Sequence, residues 1–104
     1  MYNNSMNLRQ WIIRFRKLDH FHINPDLFPQ ETKTVIPIAD IKRFQALPLG
    51  TKAGAYLNIG LVDPYRLDAR DALTLLARQT GKRVHFYEIS EADYSTILKS
   101  IYQS

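Results

Sequence analysis

The stretch from Val62 to Tyr102 constrains this chain most, because it carries start and stop signals for three successive elements. Asp63 stands before Pro64, an order that predicts a helix capped by the carboxylate and opened by the proline, whose missing N–H would have had no partner there. Ala69, Ala72, Leu73 and Leu76 follow at helical spacing, and Gly81 sits where a left-handed residue closes a helix. Val84 to Ile89 alternates as a strand. Ser90 with Asp93 then makes a capping-box-like opening to a helix carrying Tyr94, Ile97, Leu98 and Ile101 on one face. These are the signals of a scaffold, and no residue among them is arranged for catalysis.

The segments upstream complete a layer. Pro37 predicts a short helix through Phe44 with Ile38 and Ile41 turned inward. Leu47-Pro48-Leu49 is extended, with a proline that suits a strand edge or end, and Gly50 to Gly54 supplies a turn. Leu57, Ile59 and Leu61 alternate with Tyr56, Asn58 and Gly60, so the two runs form a β-hairpin with one buried face. The fold class is α+β: a small two-layer domain with a three-stranded sheet and helices packed on it. The return from the second strand through a helix to the third suits a parallel pair.

Further upstream, Leu8, Trp11, Ile12 and Phe15 fall at i, i+3, i+4 and i+7, which predicts an N-terminal amphipathic helix. Leu18 to Ile23 reads as a short strand, and Asn24 to Thr34 as a loop containing Pro25 and Pro29. We expect one domain over residues 1–104: a disordered tail at 1–7, a helix and loop at 8–35, and an α-β-β-α-β-α core at 36–104.

Charge and composition narrow the function. Cysteine is absent, which excludes disulfides and thiolate metal sites. No apolar run is long enough to cross a bilayer, the N-terminus lacks a signal-peptide core, and we read the chain as cytoplasmic. Residues 1–52 hold eight Lys/Arg against four Asp/Glu, whereas residues 53–104 hold six of each, so the net charge of +4 resides in the first half. Arg9, Arg14, Arg16 and Lys17 cluster on the N-terminal helix and point to an acidic partner. Trp11 and Arg14 are therefore candidate partner contacts, against the plainer reading that the apolar stripe packs on the domain's own sheet.

Catalytic and metal chemistry find little support. His20 and His22 share one side of a short strand, but two further ligands are missing from any obvious set, and surface or core histidines are the default. The same default holds for His85. Asp63, Asp68 and Asp71 resemble a carboxylate cluster, yet they fall at a helix start where the helix dipole favours negative charge, interleaved with Arg66 and Arg70. Tyr56, Tyr87 and Phe86 next to Lys82 and Arg83 could stack single-stranded nucleic acid, a module that would also draw on Arg14, Arg16 and Lys17. The same aromatics are ordinary core and interface residues, no RNP-type string is present, and nucleic acid is not the expected partner.

Taken in order, Ile36-Pro37, Leu47-Pro48-Leu49, Val62-Asp63-Pro64, Thr80-Gly81-Lys82-Arg83-Val84, Ser90-Glu91 and Ile101-Tyr102 resemble the N-terminal domain of type II secretion and type IV pilus assembly ATPases, over Asp19 to Gln103. The resemblance implies a domain that hydrolyses nothing itself. It would dock the motor onto the cytoplasmic part of an inner-membrane assembly protein, peripheral to that membrane through its partner, with no cofactor required. Relatives in that family also bind cyclic di-GMP through two motifs. The first, an Arg-Leu-Gly opening with spaced leucines, has no counterpart here; the second is echoed by Lys42, Arg43, Ala46 and Leu47 before Pro48. On that echo Lys42 and Arg43 would face phosphate and Leu47 would pack on a base. A G-x-x-x-x-G-K-[ST] loop is absent, so the chain is expected to be either a piece of a longer ATPase or a free-standing relative of its N-terminal domain.

Overall fold

Six regular elements follow one another in the computed structural model, which describes residues 18–52 and 54–102. They are α1 (Ile38–Phe44), β1 (Ala46–Lys52), β2 (Tyr56–Leu61), α2 (Leu67–Gln79), β3 (Arg83–Glu88) and α3 (Glu91–Ser100). The N-terminal helix expected at Leu8 to Lys17 and the tail before it lie outside the described residues. The sheet order is β1-β2-β3, with β1 antiparallel to β2 and β2 parallel to β3. The α+β class and the three-stranded sheet are thus as the sequence pattern implies.

Alternation in β2 does the central work. Leu57, Ile59 and Leu61 point to one face and have no solvent exposure. They align with Val84, Phe86 and Glu88 of β3 and share one cluster with Ala69, Leu73 and Ala77, the buried i, i+4, i+8 stripe of α2. The opposite face closes at Gly60. An added Cβ there would lie 2.6 Å from Ile89 Cγ2 and 3.2 Å from Leu49 Cδ1, so the absence of a side chain is what lets these two residues meet over the strand. A register shift between Pro48 and Gly50 marks a bulge at Leu49 on this edge strand.

Side chains and caps lock the helices to this sheet. Gln45 ends α1 in a left-handed conformation, and its carbonyl accepts the Val62 N–H at 3.2 Å. Tyr94 of α3 donates its hydroxyl to the Ile41 carbonyl of α1 at 2.9 Å, in the buried interior. Gly81, with φ +77°, closes α2, its N–H bonding Arg78 O while the Lys82 N–H bonds Ala77 O.

Four local expectations need correction. Helix α2 begins at Leu67 rather than behind Asp63, because the Asp63 carboxylate accepts the Tyr65 N–H at 2.9 Å and shapes a separate turn through Pro64. Ile38 is 44% exposed, since Ile41 and Phe44 supply the inward side of α1. Gly50 to Lys52 continue β1, which leaves a shorter turn. The strand expected at Leu18 to Ile23 contracts to one parallel bridge, His20 with Glu88, in which the Phe21 N–H bonds Glu88 O at 2.8 Å.

The loop that follows contains two 3-10 turns, Pro25–Leu27 and Gln30–Thr32, and buries Ile23, Phe28 and Ile36. Asp93 fastens its start. One of its carboxylate oxygens accepts the Ile23 N–H at 3.1 Å and faces His22 Nδ1 at 3.1 Å, while the Asp93 N–H is capped by Ser90 Oγ at 3.0 Å. Half of the expected capping box forms; its acidic member is used on the loop instead. At the far end of the loop, Tyr102 donates to Lys33 O at 2.8 Å.

Two predictions follow from this packing. Gly60→Ala forces Ile89 or Leu49 aside and lowers stability by about 1–3 kcal/mol, read as a fall in the urea midpoint with an unchanged slope. Burial pushes the Tyr102 phenol up to about 12, while an unfolded tyrosine ionises near about 10. Below the unfolded value this contributes its full stabilisation, which is lost as pH rises through the folded value. Urea midpoints should therefore fall above about pH 10, and Tyr102→Phe should reduce that fall without abolishing it, because burial raises Tyr94 as well.

Candidate docking surface

With Ile41 and Phe44 committed to the core, α1 turns Lys42 and Arg43 out to solvent in its last turn. The Arg43 guanidinium lies 5.1 Å from the Phe44 ring centroid, and Arg66 lies 5.5 Å from the same ring. Arg66 Nη1 donates to Arg43 O at 2.9 Å, and its Nε and Nη2 reach the two Asp68 oxygens at 3.3 and 3.0 Å. That fork holds the Asp68 carboxyl below the usual carboxylate range and raises Arg66 in turn, both chiefly through the shared hydrogen bonds. Arg66 is thereby matched by a carboxylate. Lys42 and Arg43 have no ion pair among the described residues.

Leu47, grouped with them in sequence, needs correction. It sits in β1 with no exposure, within the run Ala46-Leu47-Pro48 where both faces of that strand are covered, and a surface ligand would not reach it. Trp11 and Arg14 lie outside the described residues.

The other chemical candidates are used locally. Asp63 shapes a turn, and Asp68 pairs with Arg66, so the carboxylates do not converge on a reacting centre. Arg70, its charge disfavoured mainly by burial, donates to Pro64 O at 3.1 Å and lies 5.2 Å from the Phe86 ring centroid. Among the described residues no three His, Asp or Glu side chains gather as a metal set.

The aromatics of β2 and β3 form a row. Tyr56 meets His85 edge-on, His85 stacks on Tyr87 at 4.8 Å and 12°, and Phe21 meets Tyr87 edge-on at 5.5 Å. His85 and Tyr87 each give a ring face to the other, so those faces are not turned out for a base. Beside this row, Asn58 Oδ1 is buried and has no hydrogen-bond partner among the described residues.

Sequence reasoning missed two features. The Asp93 contact spans 70 positions to Ile23, and no local pattern signals it. The Arg43–Phe44–Arg66 arrangement needs α1 to lie beside the turn after β2, a tertiary placement; the only hint was an arginine ahead of Asp68.

The outcome is a small α+β domain with its polar chemistry spent on holding loops and helix ends, and with cations left over at its rims. Its family is equally clear: the chain belongs to the MshEN domain family, whose model matches residues 13–104. Solved structures share the fold, and two of them follow. The structure of MshE with cdg is similar at TM-score 0.64 and 21% identity, covering 86% of this chain and 62% of that one. The N-terminal domain of XpsE is similar at TM-score 0.63 and 19% identity, covering 84% of this chain and 59% of that one. This chain therefore spans about three fifths of each of those chains. No curated protein matches it. Family and fold together bear out the resemblance to N-terminal domains of secretion and pilus ATPases. Among the described residues, no helix is long and apolar enough to cross a membrane.

Proposed function

We propose that the chain is a non-enzymatic docking domain that holds a secretion or pilus motor to the cytoplasmic part of an inner-membrane assembly protein. Its working place is then the cytoplasmic side of that membrane, reached through the partner. Family membership over residues 13–104 carries this reading. The sequence's lack of a phosphate-binding loop and the local use of Asp63, Asp68 and Asp93 among the described residues support it. Titration calorimetry of the chain with the cytoplasmic part of the assembly protein from the same system should give saturable binding with a Kd of about 10 µM or tighter. A folded chain that gives no heat at about ten times that concentration sinks the reading.

A second reading, a cyclic di-GMP sensor, draws on the shared fold with MshE with cdg and on Lys42 and Arg43, which have no ion pair among the described residues. It requires a saturable rise in Tm with the cyclic dinucleotide and none with GTP, because a ligand that binds only the folded state stabilises it by mass action. Arg43→Ala should abolish that rise; a rise that survives Lys42→Ala/Arg43→Ala removes α1 from the site.

A further inference from the structure

We infer that the end of the domain built from the C-terminus of α2 and the β1–β2 hairpin is a docking face for a short acidic segment of a partner protein. The inference rests on the docking reading and assigns a surface to it. Two stretches of the sequence, Ile41–Val62 and Ala72–Tyr87, contain no Asp or Glu, and the fold brings parts of both to this end. Lys52, Tyr56 and Arg83 stand in one cross-strand row, so their side chains share a face of the sheet. Around the corner a cleft of about 530 Å³ is lined by Thr74, Arg78, Gly81, Lys82, Arg83 and Val84. Three cations thus line the cleft, with Lys52 nearby, and none has an ion pair among the described residues.

Helix chemistry does not account for this surplus. A cation near a helix C-terminus answers the exposed carbonyls. Here the Ala77 carbonyl already accepts Thr80 N–H, Thr80 Oγ1 and Lys82 N–H, and Arg78 O accepts Gly81 N–H. Lys82 Nζ spends one proton on Gly54 O at 2.9 Å and keeps its charge. Arg83 lies beyond the helix altogether and is exposed.

The surroundings select the occupant. Leu75, 56% exposed and one turn before Arg78 on α2, offers an apolar contact beside the charges. A polyanion following α2 would next meet Asp71 and Asp68, so the positive region is too short to serve as a nucleic-acid track. The chain's own segment from Arg9 to Lys17 is basic and is repelled by like charge. A short acidic segment with one apolar anchor satisfies both the cations and Leu75.

The test uses the whole chain with three probes: the cytoplasmic part of the assembly protein, a short fluorescein-labelled peptide of glutamate and leucine, and oligo(dT). The double variant Arg78→Glu/Arg83→Glu should weaken the first two by about tenfold or more, and added salt should weaken the wild type likewise. Leu75→Ser should weaken the peptide while leaving the salt dependence intact. Arg78→Gln/Arg83→Gln provides a milder variant should the reversal unfold, and Lys99→Glu on α3 should leave peptide binding unchanged. Partner binding that is equal for wild type and both double variants overturns this face and leaves the docking reading standing. If no partner binds but the peptide is held and then lost on reversal, the docking reading fails while the acidic-segment chemistry stands. Tighter binding of oligo(dT) than of the peptide, or self-association of the chain in sedimentation, overturns the inference.

Discussion

The rest of the structure depends on one strand being packed on both faces. Leu57, Ile59 and Leu61 of β2 fill one side, and the missing side chain at Gly60 lets Ile89 and Leu49 close the other. Because Ile89 joins β3 to α3, that close approach also sets where the last helix begins. The Ile89 N–H reaching Leu61 O at 3.0 Å fixes the same joint through the backbone. From there Tyr94 reaches α1, and Asp93 reaches back to the loop ahead of it. A small domain has little core to spare, so such shared anchors stand in for the additional layers of a larger fold.

This economy explains why the surface speaks of binding. Carboxylates that would otherwise suggest catalysis shape turns, pair with Arg66 or hold a loop. Cations behave differently. Arg66 is matched, but Arg43 at one rim and Arg78, Lys82 and Arg83 at the other have no carboxylate partner among the described residues. An uncompensated positive field on a rigid scaffold raises the encounter rate with acidic surfaces and sorts partners by charge. It requires no moving part.

Much of this was legible in the sequence where one residue type answers one backbone need. Gly81 after the α2 stripe, Ser90 ahead of α3, Pro48 on an edge strand and the alternation of β2 all stand as their local signals imply. Legibility failed where a residue had two possible uses. Asp63 could cap a helix or shape a turn, and Pro64-Tyr65 settled it for the turn. Ile38 and Ile41 share a side of α1, but Ile38 is the first residue of that helix, at its outer end, and stays 44% exposed while Ile41 is buried. Leu47 shared a motif with Lys42 and Arg43, yet it falls in the start of β1, where Ala46, Leu47 and Pro48 are buried in succession on both faces. The basic end was invisible for another reason: its cations come from separate elements and converge only once β2 and β3 align in parallel.

Hydrogen–deuterium exchange of the chain, alone and with the cytoplasmic part of the assembly protein, tests the docking account most directly. Docking at the basic end adds protection over Thr74 to Val84 and at the turn that joins β1 to β2, with Leu57 to Leu61 unchanged because that strand is already closed. No added protection anywhere in the chain would contradict docking; protection confined to α1 around Lys42 and Arg43 would keep docking and move it off the basic end.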